Sequence, residues 1–201
     1  SKIENVNIEN SYVYNLFNYV DDSNLGYVNA GLLVGYAGYT NISNCTSKGE
    51  VKLVITKYHT EYFNADDFYF GGITGRTNDS TIDSCINYAD VSVTAKHDNV
   101  GVLELYSYVG GIAGRAYKVN NSKNYGNVYF DDFETYYSNT SNYVGGICGS
   151  VYYGDNNVNY GKIYSYYRYA YLAGIFSGSN GILSNCINNG EVLGYSLSAG
   201  I

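Results

Sequence analysis

The chain has 201 residues, of which 45% are hydrophobic, and it carries a formal net charge of −7. The apolar share supports a packed core, and the acidic balance argues against nucleic-acid binding, because no stripe of Lys and Arg is available to displace counterions from phosphates. No apolar run approaches the roughly 18 residues of a membrane span, so we expect no membrane insertion.

A short glycine motif recurs along the chain. Residues 3–13 look like the second half of a repeat, after which copies of the motif follow at residues 30–35, 70–76, 108–115, 143–149 and 173–178, with a truncated copy at 199–201. The three middle copies contain Gly-Gly-Ile-x-Gly. The first and fifth copies are one residue longer before the last glycine, which predicts a local β-bulge in each. This recurrence identifies a repeat protein.

Eight glycines of this motif are predicted to be structural. Either they let the backbone pass where a side chain would clash, or they supply a positive φ at a corner. The isoleucine after the glycine pair is predicted to point inward and to stack from one repeat to the next. The eight glycines are Gly31, Gly72, Gly75, Gly111, Gly114, Gly146, Gly149 and Gly174.

A second motif follows each glycine motif and contains a Cys position, a turn and a valine that begins a β-branched run. It is clear at residues 42–51, 82–91 and 183–192, and weaker at 119–128 and 155–163, where Ser122 and Asn157 stand in the Cys position. The spacing from the glycine motif to this valine is nearly constant, whereas the spacing onward to the next glycine motif shrinks along the chain. Coils that stack in register require a constant length in one half of the repeat. A variable length in the other half indicates a loop or hairpin on one face.

No segment shows sustained helical periodicity, and short runs of Val, Ile, Tyr and Phe are broken by turn residues. We therefore predict an all-β fold: a parallel β-helix-like β-solenoid of about six coils, with one repeat per coil and variable Tyr-rich arms on one face. Residues 1–201 are expected to form a single continuous repeat array. Because half-repeats stand at both ends, we expect a segment of a longer chain or a filament unit, with neighbouring repeats or identical subunits as end-to-end partners.

The Gly-[Leu/Ile]-x-Gly signature, followed by Asn-Cys-x-x-x-Gly-x-Val, resembles the GLUG-motif repeats of bacterial surface and secreted proteins, including accessory regions of immunoglobulin A peptidases. The resemblance rests on residues 31–35, 72–75, 111–114, 146–149 and 174–178, together with the second motifs. It implies an extracellular, cell-surface repeat region that spaces or adheres, and it carries no catalytic residues to this chain.

The candidate reactive residues point to no enzyme. Cys45 and Cys85 occupy one position in adjacent repeats, and stacking would place their Cα atoms about 5 Å apart, so either a disulfide or a ladder of buried free thiols is open. No Cys-x-x-Cys pair is present and the acidic pairs have no fixed register, so we predict no metal and no cofactor. His59 and His97 are the only histidines and lack the context of a catalytic triad.

Tyrosines are concentrated in the variable arms. Exposed rings would favour contact with glycans or host surface proteins, whereas cross-strand pairing would only stiffen the arms, and the sequence leaves both open. The predicted binding residues are Tyr58, Tyr62, Tyr69, Tyr164, Tyr166, Tyr167, Tyr169 and Tyr171. In a eukaryotic secretory setting, five sequons would be N-glycosylated: Asn41, Asn44, Asn78, Asn120 and Asn139.

The leading hypothesis is a non-enzymatic, extracellular structural or adhesive repeat segment of a surface protein. The absence of a catalytic constellation, the acidity and the repeats all favour it. One alternative is a carbohydrate-binding module that uses the Tyr-rich arms. The other is a subunit of a filament that assembles head to tail.

Overall fold

The computed structural model describes residues 1–19, 27–57, 62–97, 102–133, 141–167, 170–195 and 198–199. Every regular element in these ranges is a β-strand, which confirms the predicted all-β class. The described residues include no helix with the length and apolarity needed to cross a membrane.

The strands of the first half of the chain are β1 (Lys2–Glu4), β2 (Asn7–Tyr19), β3 (Val28–Ala30), β4 (Val34–Gly38), β5 (Asn41–Ser43), β6 (Thr46–Lys57), β7 (Tyr62–Gly71), β8 (Thr74–Asn78), β9 (Thr81–Asp83), β10 (Ile86–Asn87), β11 (Asp90–His97) and β12 (Val102–Gly110). Those of the second half are β13 (Ala113–Asn120), β14 (Lys123–Asn124), β15 (Val128–Phe133), β16 (Asn142–Gly145), β17 (Cys148–Asp155), β18 (Val158–Asn159), β19 (Ile163–Ser165), β20 (Ala170–Ala173), β21 (Phe176–Ser179), β22 (Leu183–Ser184), β23 (Ile187–Asn188), β24 (Val192–Gly194) and β25 (Ser198–Ala199).

These strands form three parallel sheets. The first sheet follows the path β1-β5-β9-β13-β17-β21, with β4, β8 and β22 beside it. The second sheet has the order β23-β18-β14-β10-β6-β11-β15-β19-β24, with β2 on β6, and the third has the order β25-β20-β16-β12-β7-β3. The chain runs from the third sheet to the first, then to the second, and back to the third. This path is the predicted parallel β-solenoid with one repeat per coil.

The number of coils differs in detail from the six that the sequence predicts. Complete coils begin at β3, β7, β12, β16 and β20, so the described strands form five of them. A partial coil of β1 and β2 precedes these, and β25 follows them. In each complete coil, the connection of variable length joins the second sheet to the third, which agrees with arms on one face.

The β-bulges predicted in the first and fifth glycine motifs are wrong, because neither copy contains an extra residue. The first copy keeps one register from Ala30 to Val34 against the second copy, and the fifth also pairs without a shift. Leu32 takes the row of the second glycine in the first copy, and Ser177 takes the row of the last glycine in the fifth. Matching Gly31 to the second glycine of the other copies, and Gly178 to their last glycine, concealed these substitutions.

Two clusters of apolar side chains fill the solenoid. One lies between the second and third sheets and contains Leu53 and Phe130, and the other follows the first sheet and contains the predicted isoleucine stack. In this stack, the N–H of Ile73 donates to the carbonyl of Ile112 at 3.0 Å, and that of Ile112 to the carbonyl of Ile147 at 2.9 Å. All three are fully buried. Each coil therefore buries the apolar row of its neighbour, which one repeat alone could not do.

The corner between the first and second sheets uses left-handed backbone rather than glycine. One residue per coil has a φ between 49° and 58°, and most of these are asparagine, which tolerates this region. The corner residues are Asn5, Asn44, Ser84, Asn121, Asn156 and Asn185. Among the described glycines only Gly49, in the second motif, has a positive φ in the strained range, so the described glycines of the glycine motif serve close approach instead.

Candidate functional site: side-chain ladders and a tyrosine-lined cleft

A row of buried polar side chains runs along the solenoid axis, and we call it the asparagine ladder: Ser47, Asn87, Asn124, Asn159 and Asn188. The Ser47 hydroxyl donates to Asn87 Oδ1 at 2.7 Å. Each asparagine Nδ2 then donates to the Oδ1 of the next asparagine at 2.8–2.9 Å. The first four members are fully buried. The ladder therefore fixes both the spacing and the register of adjacent coils.

Each ladder asparagine also closes the turn within its own coil. Asn124 Nδ2 donates to the carbonyl of Gly126 at 2.7 Å, and Asn159 Nδ2 donates to the carbonyl of Gly161 at 2.8 Å. Both N–H groups of these amides are thus used, one along the axis and one within the coil. An unpaired buried donor would cost about 1–3 kcal/mol, so complete pairing keeps a polar row compatible with the core.

The second glycine of the glycine motif makes room for this ladder. A Cβ at Gly111 would lie 2.2 Å from Asn124 Cγ, and one at Gly146 would lie 2.4 Å from Asn159 Cγ. The two sequence motifs are therefore two halves of one packing arrangement. Sequence reasoning missed the ladder, although a signal was present, since an asparagine recurs two residues after the Cys position in four repeats.

The Cys position forms a second row, next to the ladder. The structure holds Cys45 and Cys85 as buried free thiols rather than as a disulfide. Each thiol donates to the carbonyl two residues earlier, Cys45 Sγ to Ser43 at 3.2 Å and Cys85 Sγ to Asp83 at 3.4 Å. Burial raises the pKa of Cys85 to about 12, so its thiolate is scarce at neutral pH and the residue behaves as a small apolar side chain.

A stack of tyrosine rings follows the third sheet. Tyr69, Tyr108, Tyr143 and Tyr171 are spaced 5.1–5.3 Å between centroids, with interplanar angles of 9–16°. Arg76 lies 4.9 Å from the Tyr69 ring centroid. Stacking along a parallel sheet follows from the fixed register, because each ring meets the same residue type one coil away.

This stack has an electrostatic partner at its buried end. The Tyr69 hydroxyl donates to Asp67 Oδ2 at 2.8 Å. Burial, with this hydrogen bond and the Asp67 charge, raises the pKa of Tyr69 to about 12. Burial likewise raises the pKa of Tyr108. Both phenols therefore remain neutral at physiological pH.

A second tyrosine stack lies on the outer face of the second sheet. Tyr88, Tyr125 and Tyr160 are separated by 5.0 and 4.7 Å between centroids, with interplanar angles of 11° and 4°. The rings are 40–47% exposed. Because the faces of the middle ring are covered by its neighbours, solvent reaches only its edge and its hydroxyl. None of these three residues was predicted as a binding residue.

A cleft of about 520 Å³ opens at the last described coil of the second sheet. Tyr166 and Tyr195 stand beside it, 66% and 76% exposed, with ring centroids 6.2 Å apart and planes tilted by 48°. The pair of Ser165 with Gly194 separates these two neighbouring rings from the pair of Tyr164 with Leu193. The cleft is lined by Asn127, Lys162, Tyr164, Ser165, Tyr166, Leu193, Gly194 and Tyr195.

The structure separates the predicted binding tyrosines. Tyr164 and Tyr166 line the cleft, and Tyr171 is exposed at the end of the third-sheet stack. The binding prediction is corrected for Tyr69 and Tyr167, which are buried and present no free ring face. Tyr62 is described only as part of the backbone of β7. Tyr58 and Tyr169 lie outside the described residues.

The predicted sequons are also placed unequally. Asn41, Asn44 and Asn78 are exposed, whereas Asn120 is half-buried. Asn139 lies outside the described residues. In the part of the chain that the structure describes, no three or more His, Cys, Asp or Glu side chains gather in a way that could hold a metal ion.

With this geometry in view, known proteins offer two points of comparison. Residues 26–52 match the GLUG motif. This match covers a glycine motif and the second motif after it, and it confirms the resemblance seen in the sequence. A solved structure titled "IgA1 Protease" is 16% identical, with a TM-score of 0.46, and the match covers 96% of this chain and 16% of that chain. The chain thus spans about a sixth of that protein. No match is found among curated proteins.

Proposed function

We propose that this chain is a non-enzymatic repeat segment of an extracellular surface protein, which spaces or presents adhesive surfaces. The observation that carries the proposal is the asparagine ladder. Five successive coils are tied to one another by four side-chain hydrogen bonds along this ladder. A body of this kind resists both sliding and separation of its coils along the axis, because either movement breaks buried hydrogen bonds.

The location and the absence of catalysis rest on the repeat itself. GLUG-motif repeats resemble regions of bacterial surface and secreted proteins, and the motif has no catalytic residues to contribute. The buried polar groups of the ladder are consumed by structural hydrogen bonds, and the net charge of −7 suits solubility outside a cell.

Single-molecule force spectroscopy tests the spacer role. The chain is held by its two ends and stretched, and we expect a discrete rupture at high force. Asn124→Leu should lower the rupture force. Asn189→Leu, at an exposed residue next to Asn188, should leave it unchanged. Gradual extension without a rupture event, or equal forces in all three proteins, would contradict the proposal.

Carbohydrate binding is a second candidate, and the tyrosine-lined cleft favours it. Tyr166 and Tyr195 expose ring faces beside Lys162 and Asn127, so apolar surface and hydrogen-bonding groups lie together. This combination is typical of ligand sites, and the volume of about 520 Å³ lies within the usual range of such sites.

The filament alternative meets a mismatch in the ladder row. Ile8 pairs with Ser47 in the first partial coil, so Ile8 occupies the ladder row at that end. A second copy stacked in the same register would place the apolar side chain of Ile8 against the Asn188 amide. Within the chain, by contrast, every contact along the ladder from Ser47 to Asn188 joins two polar side chains. We therefore propose the spacer rather than the head-to-tail filament.

A further inference from the structure

We propose that the cleft between the Tyr164–Leu193 pair and the adjacent rings of Tyr166 and Tyr195 binds a neutral pyranose unit of a glycan, with the exposed parts of the Tyr166 and Tyr195 rings as the stacking surface. This inference rests on the second candidate function, carbohydrate binding, and assigns it a site and a ligand class. Three features of the described residues lead to it: free ring faces, a cleft of suitable size, and polar groups without excess charge.

The tyrosines at the cleft have open ring faces. Apolar C–H groups of a sugar ring pack on the face of an aromatic side chain, so a tyrosine binds in this way only if a face is open. Tyr125 fails this condition, because Tyr88 and Tyr160 stack on it at 5.0 and 4.7 Å. Tyr166 and Tyr195 meet the condition, since they are tilted by 48° and are the more exposed rings.

The cleft lies between two rows of larger side chains. Tyr164 pairs with Leu193 on one side of the Ser165–Gly194 pair, and Tyr166 and Tyr195 stand on its other side. Leu193, which is also exposed, adds an apolar wall. The resulting volume of about 520 Å³ is suited to a small ligand rather than to a protein surface.

The described residues that line the cleft carry little net charge. Lys162 Nζ lies 3.3 Å from Glu191 Oε2, so the one cation among the described lining residues is already paired. Burial, and after it the negative charge of Asp90, raises the pKa of Tyr164. Asn127 accepts from the Lys162 backbone N–H through Oδ1, and its Nδ2 points to no acceptor among the described residues. The cleft therefore offers hydrogen bonds without an unpaired positive charge, which favours neutral over acidic sugars.

The test is saturation-transfer NMR on the intact chain with defined oligosaccharides at up to about 10 mM, a range that covers weak binding. The probes are two neutral trisaccharides, cellotriose and N-acetylated chitotriose, and one acidic trisaccharide, sialyllactose. We expect signals from a neutral probe and none from sialyllactose. Tyr166→Ala and Tyr195→Ala should each weaken binding about tenfold, which corresponds to the loss of one stacked ring.

Matched variants separate the site from general effects. Tyr125→Ala removes an exposed ring whose faces are covered, and it should bind the neutral probe as the parent does. Tyr195→Phe keeps the ring and should retain binding. Each variant is first shown to unfold at the same denaturant concentration as the parent, and Tyr195→Phe remains informative if Tyr195→Ala does not fold.

The outcomes distinguish the site from the function on which it rests. If neutral probes bind but Tyr166→Ala and Tyr195→Ala bind equally well, the site is overturned and carbohydrate binding survives elsewhere. If no probe binds, both the site and the second candidate function are overturned, while the spacer role is judged separately by force spectroscopy. Binding of sialyllactose alone overturns the assignment of a neutral ligand.

Discussion

The middle coils and the last described coil contain the same repeat, but their equivalent side chains are covered to different degrees. Cys85 and Asn124 of the middle coils are fully buried, whereas Cys186 and Asn188, in the same rows of the last coil, are only half-buried. Tyrosines of different rows also differ: Tyr125 of a middle coil lies between two rings, whereas Tyr195 of the last described coil is largely exposed.

This difference shows that in a solenoid the neighbouring coil, more than the residue type, decides what a side chain can do. Within the described residues, side chains with a coil on both sides are buried, and their equivalents in the last described coil are less buried. The following predictions test that comparison, beginning with the largest expected effect.

The largest expected difference is in the reactivity of two thiols of the Cys row. Cys85 and Cys186 share a repeat position, but burial raises the pKa of Cys85 from 9.0 to about 12, which makes its thiolate about a thousandfold scarcer. We expect iodoacetamide to alkylate Cys186 in the native protein at least about a thousand times faster than Cys85. Peptide mass spectrometry at timed intervals measures both rates in one sample.

Denatured protein provides the control for this measurement, since all four thiols should then react at similar rates. Cys148, which is fully buried and whose pKa burial also raises, should follow Cys85 in the native state. Equal native rates at Cys85 and Cys186 would show that the two coils are equally open, and the comparison would fail.

The asparagine ladder should show the next largest difference. Asn124→Leu would leave Asn87 Nδ2, Asn159 Oδ1 and the Gly126 carbonyl short of a buried partner, and we expect a loss of about 4 kcal/mol in the free energy of unfolding. Asn188→Leu removes one rung at the half-buried end and should cost about 1 kcal/mol. Urea denaturation followed by far-ultraviolet circular dichroism measures both.

The exposed residue Asn189 provides a matched control, because Asn189→Leu should change stability by less than about 0.5 kcal/mol. A larger cost at Asn188 than at Asn124 would mean that the last coil, rather than the middle of the ladder, holds the array together. That result would reverse the comparison.

The fold was largely predictable because its signal is periodic. Inward isoleucines and a constant spacing between motifs must recur wherever coils stack, so the strands and the parallel solenoid follow from the repeat. The two predicted bulges failed for a local reason. Leu32 and Ser177 replace glycines, and an alignment by glycine alone treats a substitution as an insertion.

The candidate site was less predictable because it depends on which rings meet. The sequence shows that Tyr166 and Tyr167 are adjacent, but only the fold places Tyr166 at the cleft and Tyr167 in the core. Tyr195 was not predicted at all, since it belongs to no cluster of tyrosines in the chain. Its partner, Tyr166, lies one coil away and becomes its neighbour through the pairing of β19 with β24.

The smallest predicted effect concerns pH at the buried end of the third-sheet stack. Burial and the Asp67 hydrogen bond raise the pKa of Tyr69 from 10.0 to about 12, so the folded state holds this proton more tightly than the unfolded state. Its contribution, of the order of 2 kcal/mol, is complete below pH 10 and is lost as pH rises through 12. Urea denaturation from pH 9 to 12 should therefore show a shallower alkaline decline for Tyr69→Phe than for the parent or the surface control Asn189→Ala. Parallel declines in all three proteins would show that the ionisation of this phenol is not linked to folding.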